Sequence, residues 1–171
     1  MLLPPGSPAH CKSTNQRLNS DIGRSGKGLG VRFELIDRVV ERQKDRLVAL
    51  KCVSRAEEYL ADHFPNFAVL PGVMMLESLV QAGRTLLDEP NGNNPLVLAE
   101  ARNVRYANII QPGQTLRVEV NLRKKNARGW EFDGIGRVNE QVAVQARFVL
   151  ESVSRQIEGS TMDSDENESS S

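Results

Sequence analysis

Cysteine is almost missing from this chain of 171 residues, which has only Cys11 and Cys52. They stand far apart and outside any metal-ligand spacing, so a cysteine-based metal site is excluded and a reduced, cytoplasmic protein is expected. Cys52 reads as a small hydrophobe within a strand. Aromatic residues make up 5% of the chain, too few for a surface on which nucleic-acid bases could stack. Net charge is absent too, since 22 basic residues balance 22 acidic ones. Nothing global therefore draws the chain to nucleic acid or to an anionic membrane. No apolar run approaches the roughly 18 residues of a spanning helix. Only Met1-Leu2-Leu3 is apolar at the start, so no secretory signal is expected either.

What is present is enough sequence for one domain with a proper core. Residues 1–30 are rich in Pro, Gly, Ser and Asn and lack hydrophobic periodicity. A disordered tail is expected there, because too little apolar surface is available to offset the entropy of ordering. Residues 154–171 form a second expected tail, acidic and rich in serine. The domain itself is expected over 31–153.

The longest apolar segment runs from His63 to Leu87, HFPNFAVLPGVMMLESLVQAGRTLL. Val73, Met74, Met75, Leu76, Leu79, Val80, Ala82, Leu86 and Leu87 cover most of a helical surface and predict a largely buried helix. Glu77 is the one carboxylate inside it, a residue type seldom buried without a partner. His63 precedes it in a Pro-bearing loop, and a loop histidine with a helix carboxylate supplies the materials of an acid–base site.

Strand patterns surround this helix. FELIDRVVER and RLVALKCVS predict two strands, the second with Val48, Leu50 and Cys52 on one face. RAEEYLADHF switches to a helical period and is expected to end at Pro65. Pro90 to Pro95 reads as a loop, and LVLAEARNVRYANII as a bent strand stopped by Gln111-Pro112-Gly113. QTLRVEVNLRKK alternates most cleanly, with Leu116, Val118, Val120 and Leu122 on one face. Hairpin turns at 126–129 and at Asn139-Glu140 lead into GWEFDGIGRV and QVAVQARFVLE, where Val142, Val144, Ala146, Phe148 and Leu150 alternate. Strands flanking one helix mean an α+β fold, an antiparallel sheet covering the 73–87 helix.

H-F-P-x-x-x-V-L-P-G-V-x-x-L-E-x-x-x-Q-A, as it stands from His63 to Ala82, resembles the signature of the FabZ-type 3-hydroxyacyl-acyl-carrier-protein dehydratases. The likeness runs from about Phe33 to Leu150, through ELIDRVVE, RLVALKCVS and ARNVRYANIIQPGQTLRVEV. It implies a hotdog fold, a sheet wrapped around one long central helix. It also implies dehydration of (3R)-3-hydroxyacyl-acyl carrier protein to the trans-2-enoyl thioester in fatty-acid biosynthesis. His63 matches the family's catalytic histidine, and Glu77 the catalytic carboxylate, supplied across a homodimer by the partner subunit. Gly72 matches the glycine whose N–H binds the thioester carbonyl, and Phe64, Val73 and Gln81 join it as substrate-binding candidates. The implied partners are acyl carrier protein and a second copy of the chain, with a trimer of dimers as a larger assembly. Asn66, Phe67 and Ala68 depart from the family's Gly and second Pro, at the loop that meets substrate.

The chemistry agrees with these residue types. A base must take a proton from C2, for which neutral imidazole suits neutral pH. An acid must protonate the departing oxygen, which a carboxyl group can do when apolar surroundings keep it protonated. Charge growing on the thioester oxygen needs donors, and a helix N-terminus at Pro71-Gly72 offers free N–H groups. No metal or redox cofactor is required. Glu77, Gln81 and Arg84 also fall at helical spacing, as a plain solvated stripe would. Arg123, Lys124, Lys125 and Arg128 make a basic hairpin that could dock an acidic carrier, with Arg102 and Arg105 as further candidates. Two rival functions stay open: a hotdog acyl thioesterase, and an inactive acyl-thioester-binding subunit.

Overall fold

Stretches that alternate with a period of two residues become strands, and the one long apolar stretch with helical periodicity becomes a helix. A computed structural model describes residues 33–60, 63–64, 66–87, 96–127 and 129–153. Both expected tails, Cys11, Pro65, the 90–95 loop and Arg128 lie outside those residues. The strands are β1 (Arg38–Arg42), β2 (Arg46–Cys52), β3 (Leu96–Tyr106), β4 (Thr115–Lys125), β5 (Trp130–Val138) and β6 (Gln141–Ser152). They form one antiparallel sheet in the order β1-β2-β4-β5-β6-β3. The helix α1 (Gly72–Leu87) lies across β2, β4, β5 and β6. This is the hotdog fold.

Hydrophobic burial accounts for the wrapping. Met75, Leu79, Val80, Ala82 and Leu86 of α1 meet Leu116, Val118 and Val120 of β4, together with Phe132, Phe148 and Leu150, in one core. Phe132 and Phe148 stack with ring centroids 5.2 Å apart, and full burial of each is worth about 2–3 kcal/mol. Gly134 permits the close approach of helix to sheet. A Cβ built there would stand 3.1 Å from both Leu79 and Phe148.

Several expectations change on folding. β1 begins only at Arg38, since the Leu35 N–H is donated to the Gln81 side chain and the Asp37 carboxylate accepts from Cys52 N–H. The expected helix at RAEEYLADHF is, among the described residues, a single 3-10 turn at Glu58–Leu60. Glu57 just before it is committed elsewhere, accepting from Ser54 N–H and from the buried Lys51 ammonium. Val48, Leu50 and Cys52 share one face of β2 as expected, and the face toward the core carries Leu47 and Ala49, although Val48 is also fully covered. A register shift between Gly136 and Arg137 in the β5–β6 pairing buries Ala143 and turns Val142 partly outward. Cys52, expected as a reduced thiol, is disulfide-bonded. The helix is not buried all round either, since Val73 is 67% exposed.

Candidate active site

The loop before α1 is held by its own backbone and by the segment after β3. His63 carbonyl accepts from Val69 N–H at 3.0 Å, and Leu70 N–H donates to Ile110 carbonyl at 2.8 Å. His63 is half-buried and its ring stacks on Phe64 at 4.5 Å between centroids. Phe64 and Phe67 are half-exposed beside it. The loop thus presents an imidazole among apolar rings.

Pro71 ends the loop and starts the helix. Its carbonyl accepts from the N–H groups of Met74 and Met75, at 2.9 and 3.1 Å. Pro71 therefore sits just ahead of the helix, which makes Gly72 and Val73 its first two residues. Among the described residues their N–H groups meet no acceptor. These are the free donors, carrying partial positive charge, that a developing oxyanion requires. Gly72 also packs closely here: a Cβ there would lie 3.1–3.3 Å from the ring of Tyr106, which would have to give slightly. Tyr106 closes this corner, and partial desolvation pushes its phenol above the usual value.

Glu77 lies on the face of α1 turned away from the sheet. Its Oε1 accepts from Gln81 Nε2 at 3.2 Å and from an Arg84 guanidinium nitrogen at 3.0 Å. Gln81 is fixed in turn, because its Oε1 accepts from Leu35 N–H at 2.9 Å. Arg84 also donates through Nε to Leu96 carbonyl at 3.0 Å. Glu77 is not the desolvated carboxyl expected of an apolar helix: its side chain is 33% exposed and ion-paired with Arg84. The reason is geometric. The apolar residues of α1 face the sheet, whereas residues 77, 81 and 84 follow one another along the opposite side at i, i+4 and i+7.

The fold brings Gly72, Val73, Glu77 and Gln81 onto the first three turns of one helix and sets His63 and Phe64 in the loop leading to it. Among the described residues no hydrogen bond or ion pair joins His63 to Glu77 within the chain. Tyr106 was not singled out from sequence. An aromatic at a strand end gives no signal until the helix start is packed against it. The basic hairpin is largely neutralised: Arg123 lies 3.4 Å from Asp133 and Lys124 3.1 Å from Glu131, while Lys125 sits over the Trp130 ring. Arg102 pairs with Glu100. Among the described residues Arg105 meets no carboxylate, and it lies next to Tyr106.

The family model described as ApeI-like, ApeI dehydratase, matches residues 39–147. The chain belongs to that dehydratase family. A relative named 3-hydroxyacyl-[acyl-carrier-protein] dehydratase FabZ, from Coxiella burnetii, is 37% identical over 123 residues, covering 68% of this chain and 87% of the relative. A FabZ from Solibacter usitatus is likewise 37% identical, over 120 residues, covering 68% of this chain and 74% of the relative. Among solved structures, the dehydratase heterocomplex ApeI:P from Xenorhabdus doucetiae superposes with a TM-score of 0.56 at 19% identity, over 67% of this chain and 94% of that one. An uncharacterized protein from Pyrococcus horikoshii does so with a TM-score of 0.53 at 13% identity, over 70% and 84%. The two structures share the fold of this dehydratase-family chain. The FabZ relatives share its sequence as well.

Proposed function

We propose that this chain dehydrates (3R)-3-hydroxyacyl-acyl carrier protein to the trans-2-enoyl thioester and water, a step of fatty-acid biosynthesis. One observation carries the reading: 37% identity to a 3-hydroxyacyl-[acyl-carrier-protein] dehydratase across 87% of that enzyme's length.

The residues act as follows. His63 removes a proton from C2, and the electron pair of that C–H bond becomes the second bond between C2 and C3. The C3–O bond breaks, and the departing oxygen takes a proton that Glu77 carries on Oε2, the oxygen that Arg84 and Gln81 leave open, and departs as water. His63 ends protonated and Glu77 deprotonated, and proton exchange with solvent resets both. Gly72 N–H, with Val73 N–H beside it, donates to the thioester oxygen as charge builds there. The half-exposed Phe64 and the Val73 side chain line the path of the acyl chain, and Gln81 steadies Glu77.

We read the working unit as a homodimer in which the Glu77 of one copy serves His63 of the other; a trimer of dimers is a compatible larger assembly. Supporting this, β3 is an edge strand, and Val104, Tyr106, Ile109, Phe64 and Val73 expose apolar surface at its end and at the start of α1. A cytoplasmic location goes with an acyl-carrier substrate.

The test is hydration of a trans-2-enoyl thioester, followed by loss of enoyl absorbance, with carrier-linked and CoA-linked substrates side by side. Turnover on the carrier-linked substrate, abolished by His63→Ala and by Glu77→Gln, is expected. Release of free thiol would establish a thioesterase instead. Ligand-induced thermal stabilisation with neither reaction would establish a binding subunit.

A further inference from the structure

We infer that Arg84 is a positioning residue for the Glu77 carboxylate, fixing one of its oxygens so that the other faces the substrate. The inference rests on the reading that Glu77 acts on substrate, and it adds a residue to that site.

An exposed ion pair along a helix ordinarily contributes little, since solvent screens it and two long side chains must be ordered. The pair here differs because both donors to Glu77 are anchored elsewhere. Arg84 gives one nitrogen to Glu77 Oε1 at 3.0 Å and its Nε to the Leu96 carbonyl at 3.0 Å, where β3 begins. A planar guanidinium bonded on two sides loses its freedom to swing. Gln81 gives Nε2 to the same Oε1 at 3.2 Å while its own Oε1 is held by Leu35 N–H at 2.9 Å, ahead of β1. Glu77 is thus clamped through Oε1 by two neighbours on its own helix, each tied to a different part of the backbone. Among the described residues no donor reaches its Oε2.

This division suits a reacting carboxyl. Bonds to one oxygen set the plane and direction of the group, which leaves the other free to exchange a proton. Catalytic groups need holding to within roughly half an ångström, and neighbours whose own geometry is locked supply that. Arg84 also ties the group to β3, the edge strand read above as the dimer interface. The direction of Glu77 and the seating of the partner copy therefore share one strand.

The test measures kcat and KM for hydration of a carrier-linked trans-2-enoyl substrate by the full chain, with melting temperatures alongside. Arg84→Ala is expected to lower kcat about 100-fold, the cost of an ångström-scale misplacement, with KM and melting temperature nearly unchanged. Arg84→Lys should restore part of the loss, because an ammonium can reach Glu77 without also holding the Leu96 carbonyl. Should Arg84→Ala fail to fold, Arg84→Gln, which keeps a donor for Leu96 but no charge, carries the same comparison. Wild-type kcat in a folded Arg84 variant, with Glu77→Gln inactive, would overturn the inference. So would equal losses in kcat, KM and melting temperature with no rescue by lysine, because that is the pattern of a structural residue. Full turnover in Glu77→Gln would remove the role of Glu77 itself, and the inference with it.

Discussion

The two sides of α1 solve opposite problems with the same sixteen residues. Toward the sheet, Met75, Leu79, Val80, Ala82 and Leu86 are buried against β4, β5 and β6, and Gly134 lets the backbones approach. Away from it, Glu77, Gln81 and Arg84 are half-exposed and hold one another through directed hydrogen bonds. The first side is set by area and volume, which tolerate a small change of shape and penalise a void. The second is set by the direction of a few bonds, and these contribute little to stability while deciding where a proton can go. Substitutions on the two sides should therefore separate folding from chemistry.

The sharpest way to break that comparison lies at the site. His63→Ala and Glu77→Gln should each lower turnover by about 100- to 10,000-fold, the range for losing a general acid or base, with melting temperature almost unmoved. A fall in melting temperature as large as that of a core variant would show that the polar side also holds the fold. On the apolar side, Phe148→Ala should cost about 3–5 kcal/mol by denaturant titration, because its ring stacks on Phe132 and touches the space beside Gly83 and Gly134.

Two intermediate changes sharpen the boundary. Gly134→Val forces Leu79 and Phe148 aside and should destabilise by about 1–3 kcal/mol, while the residual folded enzyme keeps its KM. Gly72→Ala acts on the other account. Its Cβ meets only the half-exposed Tyr106 ring, which can move, so stability should hardly change. Substrate must reach the N–H at that point, and kcat/KM should fall roughly 10-fold, about the energy of one ordinary hydrogen bond. Tyr106→Ala in the same chain should recover part of it.

The smallest effect lies on the outer face of the sheet. The Arg46 hydrogen bond holds the Glu119 carboxyl below the usual carboxylate range, against a weaker opposing effect of burial. A depressed folded-state value means that this contribution is complete above the unfolded value near 4 and is lost as pH falls through the folded one. Glu119→Gln should lower the melting temperature by about 1 °C or less at neutral pH, as an exposed pair would. It should also narrow the gap to wild type on acidification.

Much of the fold is legible in the sequence. The alternation of Leu116, Val118 and Val120 marked the core face of β4, and all three are buried. Asn139 and Glu140, expected as a hairpin turn, adopt φ of 48° and 63°, as a two-residue turn between β5 and β6 demands. The misreadings share a physical cause. The first strand began late because Leu35 N–H and Asp37 bond to residues distant in sequence, Gln81 and Cys52. The parity of β6 changed at a register shift that no alternation pattern announces. At the site, His63, Gly72 and Glu77 could be named as candidates from their residue types and from the resemblance of the motif that holds them. The packing of Tyr106 on Gly72 and the clamp from Leu96 through Arg84 to Glu77 could not.

By itself the sequence determined the α+β class, the one central helix, and which residue types could supply acid, base and free helix N–H groups. Those properties are local, written in hydrophobic period and in motifs a helix or turn can display alone. Only the tertiary structure decided which way Glu77 points and what holds it. Its partners are one and two turns further along α1, but their own anchors, Leu35 and Leu96, belong to strand regions on either side of the helix. A carboxylate's direction depends on bonds made across the fold, and period and spacing carry no record of those.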